Sequence, residues 1–259
     1  MWMKIMRKEN PSNQYMTIAV ADKITDEFKI IKTIQPLGFS SGDFDLVVDE
    51  DTDKAYIYFD KVHDFKNLDM LHKDIVCGEL TDDYTDVTGN YANYHDNTPY
   101  YLGIEAPAFC KRGEKMYLFM SRTTGYIPNP TEVCVADNYF GPWERLGRTH
   151  EDSENLSFRS QYSAIFKHPE KKDLYIALAD RWLMDLPEDL PQNMFEIENS
   201  KLDPDIETLS DPRHDEAKRI NCAALRDLSI SRYVWLPIIF DGDKPKVYWL
   251  DEWRWEDYD

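Results

Sequence analysis

Three polar residues stand at comparable places in this chain: Asp43 in Ser41-Gly42-Asp43-Phe44, Glu105 in Ile104-Glu105-Ala106-Pro107, and Gln161 in Ser160-Gln161-Tyr162. Each sits just before an apolar alternating run (44–48, 106–110 and 162–166) that reads as a strand. If those runs open successive copies of one structural unit, the three side chains face one shared cavity. Two carboxylates facing a common cavity push each other's proton affinities apart, so that one is held protonated as a general acid. Hydrolysis of a glycosidic bond uses such a pair, and inverting enzymes hold the two groups ~6.5–9.5 Å apart to admit a water.

The elements that must position these residues are short strands. Runs 55–59, 116–120, 174–178 and 246–250 are rich in aromatic and β-branched residues, and each follows a charged turn that another apolar strand precedes. The unit is a hairpin. Its repeated tyrosines, Tyr56, Tyr117, Tyr175 and Tyr248, are 61, 58 and 73 residues apart. A second element also recurs: Ile18-Ala19-Val20-Ala21-Asp22-Lys23 resembles Val133-Cys134-Val135-Ala136-Asp137-Asn138. A long period built from strands suits a four-stranded propeller blade. The expectation is therefore an all-β chain, a single five-bladed β-propeller over residues 1–259. Met1-Trp2-Met3-Lys4-Ile5 ends the second strand of a blade one that is incomplete at the N-terminus. Residues 183–229 form an acidic, Pro-rich insertion, with one short helix over 215–228.

Composition excludes other classes. With 30 Lys+Arg against 49 Asp+Glu the net charge is −19, which leaves no basic surplus for nucleic acid. No apolar run approaches the ~20 residues of a membrane span. The N-terminus shows no signal-peptide pattern, which implies a cytoplasmic chain as given, or a secreted one if a longer precursor exists. Cys77, Cys110, Cys134 and Cys222 are widely spaced and read as free thiols, and the six His residues show no zinc spacing. No metal and no cofactor is expected. Nucleotide-loop and serine-hydrolase motifs are absent.

The order of these residues resembles a family. Gly42-Asp43, then Glu105-Ala106-Pro107, Lys111-Arg112-Gly113 and Thr124-Gly125-Tyr126, then Gly141-Pro142-Trp143, Ser160-Gln161, Asp180-Arg181-Trp182 and 231–237 look like glycoside hydrolase family 43. The resemblance is to the branch that contains exo-β-1,3-galactanases, and it spans nearly the whole chain outside 183–229. It implies an inverting glycosidase acting on an oligosaccharide or polysaccharide. Glu105 matches the general acid, and Asp43 the acid that tunes it. Gln161 matches the glutamine that stands in the place of the base in this branch; a neutral amide is a poor base, so Gln161 is assigned to holding the water, with base function as the alternative. Gly42 departs from the family, which carries an Arg before that Asp. The alternatives are an α-L-arabinofuranosidase or β-xylosidase of the same family, or a non-catalytic carbohydrate-binding propeller.

Four further residues complete the expected sugar site: Tyr126, Arg181, Trp182 and Tyr233. For Tyr126 and Trp182, stacking on a sugar and packing between blades are equally good readings. Trp235, inside the apolar run 234–240, reads as core, and Trp249, Trp253 and Trp255 as packing that closes the ring.

Overall fold

The computed structural model describes residues 1–7, 9–62, 74–98, 103–126, 128–153, 156–182 and 229–258. Among them, four antiparallel sheets account for the regular structure, and the all-β expectation holds. Sheet one comprises β1 (Trp2–Arg7), β2 (Asn10–Val20) and β3 (Lys29–Ile34). Sheet two comprises β4 (Ser41–Val48), β5 (Ala55–Lys61), β6 (Asp74–Leu80) and β7 (Val87–His95). Sheet three comprises β8 (Ile104–Arg112), β9 (Lys115–Arg122), β10 (Glu132–Ala136) and β11 (Glu144–Arg148). Sheet four comprises β12 (Gln161–Lys167), β13 (Tyr175–Arg181), β14 (Arg232–Asp241) and β15 (Lys244–Lys246). The expected helix at 215–228 lies outside the described residues, as does nearly all of the insertion.

Strand direction relates sheet one to the other three. In sheets two to four the first strand starts at the end that carries Asp43, Glu105 or Gln161, and the second strand returns to it. The β1–β2 turn lies at that same end, because the Gln14 amide donates to Ser40 Oγ and Gln35 Nε2 donates to Asn13 Oδ1. β1 therefore runs as a second strand, and β2 as a third. The two similar segments at 18 and 133 fall in β2 and β10, both third strands. The expected last hairpin resolves differently. β14 pairs with β13 from Tyr175↔Ile238 to Arg181↔Arg232, and β15 ends at Lys246. The run at 233–240 thus extends sheet four and opens no new unit, and Tyr248 lies past its last strand.

Why these strands form is plain from their two faces. On β5, Ile57 and Phe59 are buried with Trp2, Met16 and Ile18 of sheet one, while Tyr56 and Tyr58 are buried with Phe109 and Leu118 of sheet three. On β9, Met116 and Leu118 face sheet two, whereas Tyr117 and Phe119 meet Tyr175, Ala177 and Val234 of sheet four. A strand covered on both sides reads as a continuous apolar run, since its side chains alternate between two cores. Buried hydroxyls tie sheets together: Tyr58 donates to the Tyr139 carbonyl at 2.8 Å and Tyr175 to the Lys111 carbonyl at 2.9 Å. Cys77, Cys110 and Cys134 are buried free thiols, as expected, and Cys222 is outside the described residues. Trp235 is a correction. Val234, Leu236 and Ile238 take the face toward sheet three, so Trp235 falls on the opposite face and is 54% exposed.

One charged knot is buried. Arg122, 1% exposed, donates to Asp96 past the end of β7 and to Glu132 on β10, which also accepts from Arg145. Asn129 closes it by accepting from the Arg122 amide and donating to its carbonyl. A buried ion pair adds little over an apolar substitute, but removing one partner strands the others. Arg122→Met is expected to cost about 3–5 kcal/mol of unfolding free energy, read from denaturant midpoints against the parent.

Candidate active site

The first strands of sheets two, three and four each break register at the expected position. The shifts lie between Ser41 and Phe44, between Glu105 and Ala108, and between Tyr162 and Ala164. Such bulges re-aim a side chain away from the regular alternation. Ala106 has φ 52°, in the left-handed region that a residue with a Cβ rarely adopts. The approach to β12 is more constrained still: Ser157, Phe158 and Arg159 have φ 52°, 54° and 61° in succession. Asp152 holds this turn by accepting from the Leu156 and Phe158 amides, and Ser160 Oγ donates to the Ser157 carbonyl.

These distortions bring the predicted polar residues together. Gln161 Nε2 donates to Glu105 Oε1 at 3.2 Å and to Ser121 Oγ at 2.6 Å. Ser121 is the register partner of Glu105 across β8 and β9. Burial pushes the Glu105 carboxyl well above the usual carboxylate range. The Asp43 and Asp60 charges push it the same way, while the Gln161 bond and Lys4 pull it back. Glu105 is thus biased toward the protonated acid, and it is held beside anions.

An open cleft of about 330 Å³ lies against this group, lined by Lys4, Asp43, Ala106, Gln161, Asp180 and Trp182 among others. A smaller hollow on the other side of Gln161 is lined by Ser121, Tyr126, Arg159 and Trp182. Glu105 itself lines neither, and the Gln161 amide joins it to both. Tyr126 and Trp182 meet edge to face with centroids 5.5 Å apart. The structure does not bring the other two expected residues to the cleft. Arg181 lies over the Trp249 ring at 5.4 Å, and Tyr233 is 76% exposed on β14.

Three participants were not expected. Asp180 pairs in register with Gln161, and burial raises its carboxyl above the usual range. Lys4 donates to Asp43 Oδ1 at 2.8 Å, so a cation reaches Asp43 from β1 in place of a residue at 42. Asp60, at the end of β5 and 3% exposed, packs where a side chain at 42 would stand: a Cβ on Gly42 would lie 2.1 Å from Asp60 Oδ2. A carboxylate ending a wholly apolar strand was the available signal for Asp60. Among the described residues, no group of three or more His, Cys, Asp or Glu side chains is placed to hold a metal ion.

A family model described as glycosyl hydrolases family 43 matches residues 2–185, and the chain belongs to that family. A search of curated proteins finds no match. Solved structures share the fold. A family 43 β-1,3-galactosidase aligns at 24% identity with a TM-score of 0.68, over 94% of this chain and 40% of its own. An exo-β-1,3-galactanase from Clostridium thermocellum aligns at 20% identity with a TM-score of 0.67, over 95% and 44%. The exo-β-1,3-galactanase from Phanerochaete chrysosporium, solved with galactose, aligns at 19% with a TM-score of 0.66, over 95% and 44%. The chain spans less than half the length of these three relatives.

The crowding at position 42 is testable. Gly42→Ala is expected to displace the buried Asp60 carboxylate and to cost about 1–3 kcal/mol, the usual range for overpacking. Thermal unfolding of the variant beside Gly42→Ala/Asp60→Ala checks this, because shortening Asp60 should return most of the loss.

Proposed function

We propose that this protein is a glycosidase that releases galactose from the ends of β-1,3-linked galactosyl chains with inversion, and that its four sheets are four of the blades of a five-bladed propeller. The observation that carries the reading is the environment of Glu105: desolvated, flanked by Asp43 and Asp60, and bonded to the amide that faces the cleft. An acid held protonated near neutral pH can give its proton to a glycosidic oxygen as that bond breaks. The leaving sugar departs as an alcohol carrying the Glu105 proton, and a water adds to the opposite face of the ring and sheds its own proton to solvent, from which Glu105 is reprotonated.

Gln161 fits the water-holding role. Its Nε2 hydrogens are directed to Glu105 and Ser121, which leaves the carbonyl oxygen to accept from a water. Asp43 bears on Glu105 from β4, and Trp182 with Tyr126 offers a ring wall against which a sugar face can stack. The names of the relatives supply the sugar and the linkage; the cleft's own chemistry asks only for a neutral glycoside.

One observation favours a second reading. Glu105 lies off the cleft wall, joined to it through Gln161, an arrangement that also suits a carbohydrate-binding protein with no turnover.

Sugar release from aryl β-galactoside, α-arabinofuranoside, β-xyloside and β-1,3-galactan separates these readings. Activity is expected on the galactosides, with α-galactose as the first anomer seen by proton NMR, and Glu105→Gln should lower kcat by about 10²–10⁴-fold. Because Glu105 ionises above the ordinary carboxylate range, turnover should persist at neutral pH and fall on the alkaline side as the proton is lost. A folded parent that binds galactose without releasing it from any substrate establishes the binding reading instead.

A further inference from the structure

The acid cluster contains a cation that the hydrolysis scheme does not use. On β1, Trp2 and Lys4 share the face turned to sheet two, because side chains alternate along a strand. Trp2 is buried in the core between the two sheets, and its Nε1 donates to the Tyr84 carbonyl at 2.9 Å. This anchor fixes where the chain stands two residues further on, nearer the catalytic end. There the Lys4 ammonium meets Asp43 Oδ1 at 2.8 Å and lines the cleft with Gln161 and Asp180. It is the only cationic side chain among the described residues lining that cleft.

The charged groups around it come from four strands: Asp43 on β4, Asp60 on β5, Glu105 on β8 and Asp180 on β13. One ammonium therefore stands against three carboxyl groups that act on it, with Asp180 elsewhere on the wall of the same cleft. Burial works against its charge, but Asp43, Asp60 and Glu105 outweigh burial and hold Lys4 above its ordinary value, so it stays protonated. Its effect on Glu105 opposes that of Asp43 and Asp60. Without a counter-charge the two aspartates would make Glu105 bind its proton more tightly, and a proton held too tightly is given up slowly. Gly42 completes the arrangement, since the Asp60 carboxylate occupies the space a larger residue would need.

We propose that Lys4 is a positioning residue of this site: its ammonium holds the Asp43 carboxylate in the cleft and sets the field in which Glu105 releases its proton. The proposal rests on the glycosidase reading above for its catalytic consequence, though not for the electrostatic one. Lys4→Met removes the charge and keeps the stem, Lys4→Gln keeps polarity, and Lys4→Arg keeps the charge. Two readouts are taken on the full chain: the pH dependence of kcat and KM on β-1,3-galactan oligosaccharides, and the carbon-13 carboxyl titration of Glu105 by NMR.

Loss of the charge should move the Glu105 titration and the alkaline limb of kcat upward together by about one pH unit. The plateau kcat should drop while KM stays within about twofold, and Lys4→Arg should restore the parent values. A parent-like titration in both uncharged variants overturns the proposal. So does a rise in KM with an unmoved alkaline limb, which marks a sugar contact. Should Lys4→Met fold poorly, Lys4→Gln gives the same comparison. The titration needs no turnover, so an inactive parent defeats the glycosidase reading while the shift in Glu105 still decides the role of Lys4.

Discussion

A carboxylic acid holds its proton more tightly where water is excluded and where negative charge is close, and the fold is arranged around meeting both conditions at Glu105. Exclusion comes from the packing of sheets two, three and four against one another; the charge comes from Asp43 and Asp60. Neither can be supplied by a single strand. β8 carries the acid, β4 and β5 the anions, and β12 the amide that ties the acid to the cleft. Each of the three first strands yields a stretch of its ladder to a bulge at that point, so hydrogen bonding within the sheets is sacrificed where the side chains must converge.

What makes those bulges tolerable is the regularity behind them. The second strands β5, β9 and β13 are buried on both faces, and their aromatic and β-branched residues alternate between neighbouring cores. Ser121, which receives a bond from Gln161, is followed on β9 by Arg122, whose guanidinium sits in the buried knot with Asp96 and Glu132. The knot therefore secures the end of β9 against which the Gln161 amide is set. Stability and geometry share these residues, so a change in the knot reaches the site through one peptide bond.

Much of this was legible in the amino-acid order, and the exceptions have physical causes. Continuous apolar runs such as 55–59 and 116–120 announce strands covered on both sides, and the matching places of Asp43, Glu105 and Gln161 just before first strands announce a common destination. Lys4 was not legible, because its meeting with Asp43 depends on how sheet one packs against sheet two. Asp60 and Asp180 lie at the far ends of second strands, where only register shows what they oppose. Trp235 and Tyr233 show the reverse difficulty. Within an apolar run both parities look alike, and the run does not say which parity sheet three covers. The run at 233–240 was likewise taken for the start of a unit, since a strand's place within its sheet is set by its partner and not by its composition.

The three left-handed residues Ser157, Phe158 and Arg159 carry a consequence of another kind. Backbone of this sort costs on the order of 1–3 kcal/mol for each residue with a side chain, and the turn persists because Asp152, Ser160 and the burial of Ser157 over-determine it. Glycine would relieve much of that cost at any of the three. Selection for stability alone would therefore remove the side chains here first, and the same relief would loosen the hinge that delivers Gln161. Durability and precision pull this short segment in opposite directions, so laboratory evolution for heat resistance should reach it early and unsettle the Gln161 side chain in the same step.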